Sequence, residues 1–164
     1  MPGLPKKVLN RAVLDALGSD VETHGDENGF PFELKVKGII PLSVFAFTVT
    51  SPPGGRHPLE SKIQLIGPGH EKGTRGALAV PPNGGFPILL GYKAEENLFV
   101  LWDAYKHPEF SFSKNVQVKA APLLDALHLG MGETVRRLNT GREMVIAARA
   151  DHLREALANR VLAA

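Results

Sequence analysis

Phe86-Pro-Ile-Leu-Leu-Gly-Tyr92 and Leu98-Phe-Val-Leu-Trp102, separated by Lys93-Ala-Glu-Glu-Asn97, set the fold class. Each run has the length and apolar content of a strand. A five-residue link is ordinary for a hairpin, so the pair predicts a hairpin in the middle of a sheet. Upstream, Phe32, Leu34 and Val36 alternate with Glu33, Lys35 and Lys37, the period-two pattern of a half-buried strand. Leu42 to Ser51 is rich in β-branched and aromatic residues and stops at Pro52-Pro-Gly-Gly55, which predicts a second strand. Glu60 to Ile66 predicts a third, ending at Gly67-Pro-Gly69.

Helical periodicity appears towards the two ends. Val8, Leu9, Val13, Leu14 and Leu17 recur at helical spacing between Pro5 and Gly18, and predict an amphipathic helix over 5–17. Ser19 to Gly29 is polar and predicts a loop, and His70 to Gly85, dense in Gly, Pro, Lys and Arg, predicts a long mobile segment. A strand is expected around Asn115 to Val118, a helix over Pro122 to Leu129 stopped by Gly130, and a last strand over Glu143 to Ala148. Ala150 to Leu162 closes the chain as a helix with Leu153, Ala156, Leu157 and Val161 on one face. Strands in a block with helices at the ends predict an α+β fold, with a largely antiparallel sheet of about six to eight strands and helices at both termini. The final helix has no stop signal before Ala164, which predicts that 1–164 is a single domain from a longer parent chain.

Composition narrows the function classes. The 164 residues, 43% of them hydrophobic, suffice for one core. Net charge is +2 and the sequence pI about 9.0, so a basic surface must be a local patch. The absence of cysteine excludes disulfides, thiolate zinc sites and a cysteine nucleophile. No signal-peptide h-region or membrane-length apolar run is present, which predicts a soluble, cytoplasmic protein.

Enzyme motifs are weak. Glu60-Ser-Lys62 matches the E-x-K half of a Mg²⁺-dependent nuclease site, with Asp103 as a further carboxylate, but the order is unusual and a lone E-x-K is a chance match in many chains. The six histidines, at 24, 57, 70, 107, 128 and 152, include no helical i, i+4 pair. Ser111 and Ser113 lack elbow glycines, and Gly67 to Thr74 is not a phosphate-binding loop. No catalytic residue, metal ligand or cofactor is predicted.

The strongest functional signal follows Trp102. Tyr105 to Val118 places His107, Pro108, Phe110 and Phe112 beside Lys106, Ser111, Ser113, Lys114 and Asn115, so apolar surface and phosphate-seeking donors share one turn-like segment. A mere connector gains nothing from exposed phenylalanines. Arg56, His57, Lys62, Gln64, Lys72, Arg75, Arg136, Arg137 and Arg142 complete a basic set able to line a phosphate-tracking face, with Gln64, Asn115 and Gln117 as polar candidates for base contact.

The motifs Arg56-His-Pro-Leu-Glu-Ser-Lys-Ile-Gln-Leu65, Ile88-Leu-Leu-Gly-Tyr92, Leu98-Phe-Val-Leu-Trp-Asp-Ala104, His107-Pro-Glu-Phe-Ser-Phe-Ser-Lys-Asn-Val-Gln117 and Glu143-Met-Val-Ile-Ala-Ala-Arg149 together carry a family resemblance. From about Leu34 to Leu157 the chain resembles the sulfur-binding domain that precedes the HNH nuclease in McrA-type restriction endonucleases. The resemblance implies a reader of double-stranded DNA with a phosphorothioate backbone, coupled to a C-terminal HNH module in the parent chain. It implies a sulfur cavity at His107, Pro108, Phe110, Ser111 and Phe112, where the family often has tyrosine in place of His107. Phosphate and DNA contacts are then expected from Arg56, His57, Lys62, Gln64, Arg75, Tyr105, Lys106, Ser113, Lys114, Asn115 and Arg142. A methylated-base reader, a protein-interaction domain and the E-x-K nuclease are the alternatives.

Overall fold

The computed structural model describes residues 3–50, 61–64, 75–77, 84–107, 109–111, 115–139 and 141–163. Helix α1 (Lys6–Leu17) starts after Pro5, whose carbonyl accepts from Val8 N and Leu9 N, and stops at Gly18, which adopts φ 55°. Leu9, Val13, Leu14 and Leu17 are buried as their spacing requires, whereas Val8 is exposed. Strands β1 (Val21–His24), β2 (Phe32–Val36), β3 (Leu42–Thr48), β4 (Ser61–Gln64), β5 (Arg75–Ala77), β6 (Phe86–Lys93) and β7 (Leu98–Trp102) follow. After these come β8 (Glu109–Ser111), β9 (Asn115–Val118), α2 (Ala120–Leu129), β10 (Met131–Leu138), β11 (Gly141–Arg149) and α3 (Leu153–Leu162).

Seven strands form one sheet in the order β1-β2-β3-β6-β7-β11-β10. Every neighbouring pair is antiparallel except β3 and β6, which run parallel from Leu42↔Phe86 to Thr48↔Tyr92. A parallel pair requires a long crossover, and here residues 49–85 supply it, carrying β4 and β5. Two small antiparallel ribbons, β4–β9 and β5–β8, stand outside the main sheet.

The sheet is covered on both faces. Helices α1 and α3 pack against Leu34, Val44, Ile88, Leu90, Phe99, Leu101, Ile146 and Ala148. The other face, with Phe45, Phe47, Leu89, Val100, Trp102, Val145 and Ala147, meets Ile63 of β4, Val116 and Val118 of β9, and Leu123 and Ala126 of α2. Two covered faces explain why β7 is buried along its whole length while β2, near an edge, alternates. At Gly91 the absence of a side chain lets the layers close up, since a Cβ there would meet Val49 Cγ2 at 2.5 Å and Trp102 Cζ3 at 3.0 Å.

The α+β class, the largely antiparallel sheet and the terminal helices agree with the sequence. Three local expectations fail. The loop expected over Ser19–Gly29 contains a 3₁₀ turn (Gly18–Asp20) and β1, an edge strand with no buried residue and hence no apolar signal. No element was expected at Met131–Leu138, yet β10 forms there as the opposite edge among the described strands, with Gly132 its one buried residue and hence little apolar signal. The turn-like segment after Trp102 contains a 3₁₀ turn (Ala104–Lys106) and β8 before β9, which forms at Asn115–Val118 as expected, and β5 lies within the expected mobile stretch His70–Gly85. The rest of that stretch before Gly84 falls outside the described residues.

Candidate nucleic-acid interface

Asp103 turns the chain at the end of β7. Its Oδ1 accepts from Tyr105 N at 2.9 Å, which starts the 3₁₀ turn, and its own N–H donates to Glu143 Oε2 at 3.0 Å. Glu143, on β11, is fully buried, and a carboxylate there needs donors from every side. His107 Nε2 lies 2.7 Å from Oε2, and Arg136 Nη1, on β10, donates to Oε1 at 3.4 Å. Arg136 Nη1 also donates to Gln117 O at 3.0 Å, the carbonyl that takes the Trp102 Nε1 hydrogen at 3.0 Å. One buried carboxylate therefore ties β7, the 3₁₀ turn, β9, β10 and β11 together.

Arg160 of α3 braces the same corner. It is buried, donates through Nη1 to Met144 O, and places Nη2 3.8 Å from Asp103 Oδ2. Burial pushes its guanidinium below the usual value, and the charges of Asp103, Glu143 and Glu133 oppose that shift.

The expected contact residues distribute unequally around this corner. Lys106 is half-buried, with Nζ 3.3 Å from where a Cβ would stand on Gly141. Arg142 is exposed on β11, directly opposite exposed Arg137 on β10. Tyr105 is 48% exposed and rests edge-on against Phe86, with ring centroids 5.7 Å apart. Lys62, half-buried on β4, pairs across the ribbon with exposed Gln117 on β9.

His107 departs from its expected role as a loop contact: its side chain is turned inward and 6% exposed, because Glu143 needs its Nε2. Its buried Nδ1 has no hydrogen-bond partner among the described residues. Arg56, His57, Pro108, Phe112, Ser113 and Lys114 lie outside the described residues, as do the side chains of Gln64, Arg75, Phe110, Ser111 and Asn115.

For the E-x-K reading, Glu60 lies outside the described residues, and the Asp103 carboxylate is engaged by Tyr105 N and Arg160. Among the described residues no group of three or more His, Asp or Glu could hold a metal ion. A cleft of about 620 Å³ lies along α1, floored by Val8, Ala12, Ala16, Tyr92 and Ala150, and contains none of the expected site residues. Sequence reasoning missed Glu143 as the organiser of the corner. Its signal was a carboxylate inside the apolar run Glu143-Met-Val-Ile-Ala-Ala148, two and four residues before the inward-facing Val145 and Ala147.

The model of a family described as Methylase-associated X1 matches residues 40–157, which span β3 to the first half of α3 and include the corner except for Arg160. The chain belongs to the Methylase-associated X1 family. Membership in Methylase-associated X1 links the chain to DNA modification, without specifying a phosphorothioate mark or an HNH partner. No curated protein and no solved structure matches it. Among the described residues no helix of this Methylase-associated X1 chain is long and apolar enough to cross a membrane.

Proposed function

We propose that the chain is a non-catalytic DNA-binding module that reads a modified duplex, that the mark is a phosphorothioate in the backbone, and that cleavage belongs to an HNH module of the parent chain. The observation that carries the DNA-binding part is the corner itself. Lys106 and Arg142 have no ion-pair or hydrogen-bond partner among the described residues, and both flank a segment that buried Glu143 holds in place. Unanswered cations on a preorganised segment suit a phosphate backbone. The family's tie to DNA modification supports a modified duplex as the ligand.

The sulfur reading rests on the motif around His107-Pro108-Glu-Phe110 and on solvation chemistry. Sulfur in place of a non-bridging oxygen keeps the charge but is larger, softer and less strongly hydrated. An apolar notch strips water from oxygen without returning a hydrogen bond, and penalises sulfur less. The resulting preference is on the order of 1–3 kcal/mol, or about tenfold to a hundredfold.

The methylase association favours one second reading, a methylated base as the mark. Fluorescence anisotropy at about 0.1 M salt on three otherwise identical duplexes, unmodified, Rp phosphorothioated and base-methylated, separates the two, since backbone contacts are salt-sensitive. Tightest binding to the sulfur duplex, with the preference lost in Pro108→Gly, is expected. Tightest binding to the methylated duplex transfers the function to the base reader, and equal binding to all three rejects mark recognition.

A further inference from the structure

Strand β10 is an outer edge of the main sheet, and with β11 it forms a ribbon whose closed end is the Leu138↔Gly141 pair. The pairing is continuous from Met131↔Ala148 to Leu138↔Gly141, but β7 pairs only with Ile146 to Arg149 of β11. Residues 141–145 therefore have β10 as their one strand partner among the described residues, and the closed half of the ribbon runs past the ladder that β7 forms.

Directly opposed residues share a face, so Arg137 and Arg142 stand together on one side while Arg136 and Glu143 stand on the other. On that second side Arg136 is held by Glu143 and Gln117 O, and Lys106 Nζ lies against Gly141. The closed end thus carries cations on both faces. Arg137 and Arg142 are exposed, and neither has an ion-pair or hydrogen-bond partner among the described residues. Like charges directly opposed across strands repel, so the fold carries a small penalty here that an external anion would relieve.

We infer that the closed end of the β10–β11 ribbon enters the major groove of duplex DNA, with Arg137 and Arg142 on the phosphates of one strand and Lys106 facing those of the other. The inference rests on the DNA-binding reading above and assigns that binding to a specific element. A major groove about 12 Å wide admits a two-stranded ribbon, and the separation of cations onto two faces matches the two backbones that bound the groove. Exposed Asn139 at the turn is the side chain presented to the base edges, where an amide recognises adenine.

The test compares native protein with the Arg137→Gln/Arg142→Gln double variant on one unmodified and one Rp phosphorothioate duplex. Each lost phosphate contact should flatten the plot of log K against log salt by about 0.9, so the double variant should lose about two units of slope on both DNAs. Its thermal midpoint should not fall, because the substitution removes a repulsion. Native protein should protect guanine N7, a major-groove atom, from dimethyl sulfate, and the variant should not. Duplex binding by native protein with an unchanged salt slope in the variant overturns the ribbon assignment and leaves DNA binding standing. Binding without N7 protection overturns groove entry, and no duplex binding by native protein overturns both proposals.

Discussion

Glu143 illustrates how one residue organises a surface. Removed from water, its carboxylate is tolerable only with donors on both oxygens, and Asp103 N, His107 and Arg136 provide them from three different elements. Lys6 presents the opposite case, a half-buried cation at the start of a helix. Its Nζ donates to Ala46 O at 2.6 Å and sits 4.4 and 4.3 Å from the ring centroids of Phe30 and Phe47. Burial pushes the ammonium from the usual 10.5 down to about 8. Between pH 8 and 10.5 the unfolded chain then holds a proton that the folded chain has released, so stability rises with pH across that window. Below pH 8 the penalty of the half-buried charge is complete. Urea denaturation from pH 7.5 to 10.5 should show this rise, and it should vanish in Lys6→Met; an identical slope in the variant would remove Lys6 as its source.

Elements were legible to the extent that they had buried faces. The α1 stripe, the β6–β7 hairpin and α2 with its Gly130 stop all announce themselves through apolar spacing or turn chemistry, and they form where the sequence indicates. Strands β1 and β10 do not, because an edge strand can be almost entirely polar and still complete its hydrogen bonds on one side. The clue to β10 is Gly132, where α2 crosses so closely that a Cβ would run into Pro122 O and stand 2.8 Å from Asp125 Cβ. Gly132→Ala should therefore push α2 off the ribbon and cost about 1–3 kcal/mol by overpacking, measured as a shift in denaturant midpoint. A neutral substitution would mean that α2 can move aside freely.

At the scale of the whole molecule, the family match and the folding unit do not coincide. Residues 40–157 contain the candidate interface but omit α1, β1, β2 and the second half of α3 with Arg160. Leu9, Val13, Leu14 and Leu17 of α1 cover the sheet opposite the β4–β9 ribbon. Exposing these four side chains' contact surface would cost about 6–12 kcal/mol at roughly 1.5–3 each, comparable to the whole stability of a domain. The fragment 40–157 should lose cooperative thermal unfolding by circular dichroism while the full chain retains it. A sharp transition in the fragment would show that the matched region carries a sufficient core by itself.

The amino-acid sequence alone determined the local elements with buried faces, the α+β class, and the concentration of aromatic and cationic residues after Trp102, because spacing and turn chemistry act between near neighbours in the chain. Tertiary structure decided which of those residues meet. Glu143 finds His107 across 36 positions, and Lys106 comes to rest on Gly141, on the opposite face of the ribbon from Arg137 and Arg142. It also turned His107 inward, against what its loop neighbours suggested. The physical reason is that strand order and register follow from which faces can be buried together, and a buried charge takes its donors from whatever elements that packing brings near it.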